Sequence, residues 1–247
     1  MQKINNELYN DLGERWYTAQ DDPVALLRAE SRIRNPWVLE TIQKEWGSIR
    51  PQVLDVGCGG GFLSNALAQA GMNVTGVDLS EESLQVAKKY DATKSVNYIV
   101  ADAYALPHAD SSFDVVCAMD FLEHVDDPAR AIREMSRVLR PKGLLFFHTF
   151  NRNWISKIVA IKCVECFVAN TPKDMHVIEL FIKPKELSSY CEACGLTVIE
   201  MKGVMPKLFS FSVLRGLITG RVPDDFGFRF TTSLMMGYSG LARKDCT

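Results

Sequence analysis

The sequence predicts an α/β fold: a mostly parallel sheet with helices on both faces. Two observations carry this. From Pro51 onward, short apolar runs alternate with longer amphipathic ones, and residues that start and stop helices fall between them. The runs "QVLDVG", "NVTGVDLS", "VNYIVAD", "FDVVCAMD" and "LLFFHTF" are rich in apolar residues, as strands covered on both faces are.

The elements follow in chain order. Residues 1–49 read as helical, with Trp16, Leu26, Leu27, Ile33, Trp37, Val38 and Ile42 at helical spacings and Pro36 interrupting them. After the first strand, "FLSNALAQAG" and "EESLQVAKKY" are amphipathic helices, the second capped by Ser80. Asp127-Pro128 opens the helix "DPARAIREMSRVLRPKG", and Pro141 with Gly143 closes it. Further on, "KPKELSSYCEACGLTVIEMKG" reads as helix, Gly195 cap and strand, and "FGFRFTTSLMMGYSGLARK" holds the last strand. No internal repeat or low-complexity linker interrupts this order. The expected organisation is one unit over 1–247, with a leading helical segment 1–49 and an insertion around 152–182.

Composition narrows the function classes. A chain of 247 residues that is 47% hydrophobic can bury an enzyme-sized core. Its net charge of -2 supplies no basic field for phosphate backbones, so nucleic acid is not an expected partner. Seven unevenly spaced cysteines suit a reducing interior, which points to the cytoplasm. No run approaches the roughly 18 apolar residues of a spanning helix.

The stretch "VLDVGCGGG" carries the cofactor argument. Glycines after a first strand let backbone approach a ligand closely, and the following helix presents its positive N-terminus. Gly57 and Gly59 fit the dinucleotide spacing, but its third glycine position holds Phe62. Asp55 departs further. A carboxylate there sits badly beside a pyrophosphate, whereas a ligand with an ammonium and a sulfonium tolerates it, and S-adenosylmethionine is such a ligand. This disfavours a nicotinamide-linked oxidoreductase. Asp78, ending the second strand, is placed for a ribose hydroxyl pair, and Asp102, in "ADA" after the third, for an adenine amino group.

These motifs, "VLDVGCGGG", "VTGVDLS", "ADA" and "FDVVCAMDFLEHVDDP" followed by "VLRPKG", resemble the class I S-adenosylmethionine-dependent methyltransferases. With "FLEHV", "FNRNWISK", "NTPKDMH" and "FIKPKEL", the chain is similar to the ubiquinone-biosynthesis O-methyltransferases that act on polyprenylated phenols. The resemblance implies a Rossmann-like fold whose seven-stranded, mostly parallel sheet ends in an antiparallel strand. It also implies a polyprenylated phenolic substrate, and quinone-biosynthesis enzymes as partners. Cofactor residues implied at matching positions are Gly57, Asp78 and Met119, with Asp55, Gly59, Leu79, Asp102 and Ala103 around them. The family's arginine just after "NP" falls at Val38 here, so Arg34 or Arg32 takes its place. Other readings of the same fold are a methyltransferase for another small phenol or amine, and a non-catalytic cofactor-binding scaffold.

Asp120, Glu123 and His124 lie at i, i+3 and i+4, so one helical turn after the fourth strand points all three the same way. Two carboxylates and an imidazole can bind a divalent ion such as Mg2+, or one of them can act as base. A phenol with a pKa of about 10 needs such help at neutral pH. Glu123 and His124 are therefore catalytic candidates, and His148, ending the fifth strand, is a second base candidate. Cys163/Cys166 and Cys191/Cys194 have a zinc-like spacing but fall inside helices without knuckle turns, so no zinc is expected.

Two apolar stretches rimmed by basic residues describe helices for a membrane interface. The first sets Ile155, Ile158, Val159, Ile161, Val164, Phe167 and Val168 against Lys157, Lys162 and Lys173. The second sets Phe211, Leu214, Leu217 and Ile218 beside Lys207, Arg215 and Arg221. Peripheral attachment to anionic lipid on the cytoplasmic face is the expectation.

Overall fold

The computed structural model describes residues 9–171, 177–208 and 210–246. Lys173, and the side chains of Lys162, Cys163, Cys166 and Phe167, lie outside the described residues.

A short helix α1 (Arg15–Thr18) and a long one, α2 (Val24–Trp46), precede the alternating region β1 (Gln52–Val56), α3 (Phe62–Gln69), β2 (Asn73–Asp78), α4 (Glu81–Tyr90) and β3 (Asn97–Val100). Then come β4 (Phe113–Met119), α5 (Pro128–Val138) and β5 (Leu139–Phe150). Next are α6 (Trp154–Ser156), a π-helical stretch Lys157–Cys163 and α7 (Val164–Phe167). The chain continues through α8 (Pro184–Glu192), β6 (Leu196–Pro206), α9 (Phe211–Thr219), β7 (Phe228–Thr231) and β8 (Gly237–Lys244).

One eight-stranded sheet runs β3-β2-β1-β4-β5-β8-β6-β7. The pairings among β1 to β5 are parallel; β8 is antiparallel to both β5 and β6, and β7 is antiparallel to β6. The alternation of strand side chains sorts the core into two faces. Val53, Val115 and Phe146 pack with Trp37, Val38 and Ile42 of α2 and with Leu67 of α3. Leu54, Val116 and Phe147 pack with Ile132 and Met135 of α5 and Leu187 of α8.

The caps behave as their chemistry requires. Ser80 Oγ accepts from the Ser83 amide at 3.1 Å, and Asp127 accepts from the Arg130 amide at 3.0 Å with Pro128 in the first turn.

Four expectations need correction. Eight strands replace seven, because "FGFRFTTSLMMGYSGLARK" splits into β7 and β8. The return between them crosses β6 so closely that a Cβ on Gly203 would collide with the Ser233 carbonyl. Pro36 does not interrupt its helix: α2 runs through it for 23 residues. A proline there removes one intrahelical hydrogen bond, but Val24, Ala29, Trp37, Val38 and Ile42 are buried along the helix, and packing prevails. Pro141 and Gly143 do not close α5, which ends at Val138; they sit in β5 where the register jumps from Phe113↔Leu139 to Val115↔Leu144. Lastly, Asp120, Glu123 and His124 do not share a helical turn. Asp120 adopts φ 53°, and only Leu122–His124 form a single 3-10 turn, so Asp120 points elsewhere.

Candidate active site

At the C-terminal ends of β1, β2, β3 and β4 lies a cleft of about 480 Å³, where an open parallel sheet receives its ligand. The glycine loop forms one wall. The Gly57 and Cys58 amides donate to the Val77 carbonyl at 2.8 and 3.1 Å, tying the loop to β2. Gly57 and Gly59 have φ of 68° and 49°, a left-handed conformation that L side chains resist. The loop is also roofed: a Cβ on Gly59 would come within 2.7 Å of the Trp16 ring, and one on Gly57 would collide with Phe121.

Three carboxylates follow the strand ends. Asp55 is buried beneath the loop and accepts from Ser64 Oγ at 2.6 Å; burial pushes its carboxyl up to about 7. Asp78 accepts from the Gly59 and Ser80 amides at 2.8 and 2.9 Å, so it braces the loop while facing the cleft. Asp102 is exposed at the rim and accepts from the Tyr104 amide at 2.8 Å. Leu79, Ala103 and Met119 line the same cleft.

Of the two candidate arginines, only Arg34 reaches the cleft. Arg32 donates outward to the carbonyls of Asp224 and Phe226 at 2.6 and 2.7 Å. Arg34 is buried and grips Asp120 with both terminal nitrogens, at 2.7 and 2.5 Å, while Glu30 lies 3.3 Å from its Nη1. Its Nε has no hydrogen-bond partner among the described residues.

Behind Arg34, His148 is fully buried, with Nδ1 2.9 Å from Ser239 Oγ and Nε2 3.5 and 3.6 Å from Asp120 and Glu30. Burial, reinforced by the neighbouring guanidinium, pushes its pKa down to about 3, so the ring is neutral. Burial pushes Glu30 and Glu123 up to about 8. At neutral pH the cluster thus holds one ion pair, Arg34 with Asp120.

Among the catalytic candidates, His124 lines the cleft, whereas Glu123 and His148 stand behind its wall; Asp120, expected only as a metal ligand, lines it too. The proposed metal ligands do not converge. Among the described residues, the three ligand-type side chains whose donor atoms lie within 4.8 Å of one another are Glu30, Asp120 and His148. Asp120 is turned to Arg34, and that guanidinium already supplies positive charge to the group. A divalent ion therefore does not fit Asp120, Glu123 and His124 as they stand.

The glycine cradle and its carboxylates do fit a cationic nucleoside donor, and the comparisons agree. A family model described as a methyltransferase domain matches residues 54–147. The ubiquinone biosynthesis O-methyltransferase of Azoarcus sp. (strain BH72) is 38% identical over 200 residues, covering 79% of this chain and 83% of that protein. The chain belongs to the ubiquinone biosynthesis O-methyltransferase family. It is an S-adenosylmethionine-dependent methyltransferase. Its fold is shared with a SAM-dependent methyltransferase from Methanosarcina mazei, with a TM-score of 0.58 and 23% identity, covering 83% of this chain and 98% of that one. It is also shared with magnesium protoporphyrin IX methyltransferase from Synechocystis, with a TM-score of 0.60 and 17% identity, covering 86% and 82%.

The sequence did not single out Glu30, Tyr9 or Phe121. Glu30 was legible in principle, because "ESRIR" places it four residues before Arg34 on one helix face. Tyr9 and Phe121 reach the cleft through loop geometry, which leaves no periodic signal.

Proposed function

We propose that the protein methylates a hydroxyl of a polyprenylated dihydroxyaromatic ring in quinone biosynthesis. The observation that carries this is His124, the imidazole that lines the cleft beside the glycine cradle. Bound S-adenosylmethionine supplies an electrophilic methyl carbon, which bonds to the substrate oxygen as the C–S electron pair returns to sulfur. Gly57, Gly59, Asp78, Leu79, Asp102, Ala103 and Met119 shape the cofactor side of the cleft. Asp55 would answer the donor's positive charge, and Arg34 would hold its carboxylate. His124 takes the phenolic proton, a transfer worth about 10²–10⁴ in rate for a positioned base. Glu123 and His148 support the wall without touching substrate. Labelled donor with short-chain prenyl catechols tests this: His124→Gln should lower turnover about a hundredfold while calorimetry finds cofactor affinity unchanged. Equal losses in both would overturn it.

No step runs through Mg2+, because the donor atoms do not converge on a site for it. Chelation is expected to leave the rate unchanged; a loss restored by Mg2+ would mean that Asp120 leaves Arg34 in the working enzyme.

A membrane-resident substrate calls for a membrane-facing surface, and one patch supports it. The Ala169 amide donates to the Gly220 carbonyl at 3.1 Å, bringing the two apolar stretches side by side. On them Trp154, Ile158, Phe211, Leu214, Leu217 and Ile218 are all exposed, with Phe211 and Ile218 at 75% and 76%. Exposed Lys157, Lys207 and Arg221 rim the patch, a pattern suited to an anionic interface. Among the described residues no helix is long and apolar enough to cross a membrane. The proposed location is thus the cytoplasmic membrane face, beside other quinone-biosynthesis enzymes.

A further inference from the structure

Residues 9–14, before α1, run along the cleft as a strap, with Tyr9 and Asn10 in its lining. The Tyr9 carbonyl accepts from Ser83 Oγ on α4 at 3.2 Å, and the Tyr9 ring stacks on Trp16 at 5.8 Å between centroids and 20° between planes. Trp16 in turn covers Gly59 and Gly60. This framework delivers the Tyr9 ring edge-on to His124, at 5.7 Å and 88°, with its hydroxyl 3.4 Å from His124 Nε2. Tyr9 also lines the cleft. His124 Nδ1 is enclosed by protein, so Nε2 is the ring atom that can meet a proton from the cleft, and the Tyr9 hydroxyl stands in front of it.

We infer that the Tyr9 hydroxyl is a catalytic proton relay between the substrate phenol and His124. A phenol oxygen can donate and accept at once. As the substrate oxygen bonds to the methyl carbon, its proton passes to Tyr9 Oη and the Tyr9 proton passes to Nε2. Tyr9 ends as it began, and His124 ends as imidazolium. Burial, with the carboxylates of Glu123 and Asp120 nearby, raises the Tyr9 pKa far above its ordinary value. A free tyrosinate is therefore disfavoured, and the two transfers are concerted. The 3.4 Å separation is long, as catalytic hydrogen bonds often are before substrate enters.

The inference rests on His124 being the base, and the experiment separates the two. Tyr9→Phe keeps the ring stack and removes only the hydroxyl. Single-turnover methyl transfer should slow about a hundredfold, with cofactor affinity and substrate KM held within twofold. In mixtures of light and heavy water the rate of the unaltered enzyme should bend, reporting two protons in flight, while Tyr9→Phe should give a straight line. The double variant with His124→Gln should be no slower than the slower single one. If Tyr9→Phe is as fast as the parent or faster, or if the two losses multiply in full, Tyr9 is not a relay and His124 can still be the base. If His124→Gln leaves the rate intact, both readings fall.

Discussion

Gly59 shows how strictly one position can be fixed. It needs φ of 49° and has Trp16 above it, so Gly59→Ala should weaken cofactor binding about tenfold or more, as calorimetry would show. Arg34 is a different case. Arg34→Gln would leave Asp120, part-buried in the cleft wall, charged without its guanidinium, which costs up to about 3 kcal/mol and should appear as a drop in unfolding midpoint. The buried acids set a pH dependence. Glu30 and Glu123 keep protons up to about 8 that the unfolded chain releases near 4.5, so both weaken the fold as pH rises through that window. His148 acts oppositely between about 3 and 6.5, and Asp55 levels off by about 7. The net decline should therefore be clearest between pH 7 and 8, where the two glutamates approach their midpoints and His148 no longer offsets them. Glu123→Gln should remove roughly half of that slope in thermal melts across the range; an unchanged slope would mean the carboxyl is ionised in the fold.

At the scale of elements, much of the architecture was written in residue types. The β1 run and its glycines, the Ser80 cap and the Asp127-Pro128 start all fall where their chemistry puts them. So do the cleft-lining positions of Asp55, Asp78, Asp102 and Met119. What escaped was set by tertiary contacts. Pro36 lies inside a helix because a buried face outweighs a missing hydrogen bond. The spacing of Asp120, Glu123 and His124 implies a shared face only if the turn is helical, and the positive φ at Asp120 diverts it to Arg34. The extra strand depended on a tight return over Gly203, which periodicity does not encode. Gly203→Ala should destabilise the protein by about 1–3 kcal/mol in urea titrations, since the atom it would strike is backbone and cannot turn aside.

For the whole molecule, the exposed apolar patch gives a direct expectation. Flotation with anionic vesicles should carry the protein upward, and Phe211→Glu with Ile218→Glu should leave it at the bottom while methylation of a water-soluble catechol continues. Retention of the double variant on vesicles would place the contact elsewhere.

The position of β8 bears on how such a chain comes together. It is the last strand in chain order, yet it lies between β5 and β6 and is the seam joining β6 and β7 to the rest. As the polypeptide emerges from the ribosome, β1 to β5 can align early, but the β6–β7 hairpin has nowhere to dock until residues 237–244 appear. Until that moment β5 presents a naked edge to solvent, and a nascent chain halted short of Gly237 would be the form most in need of a chaperone.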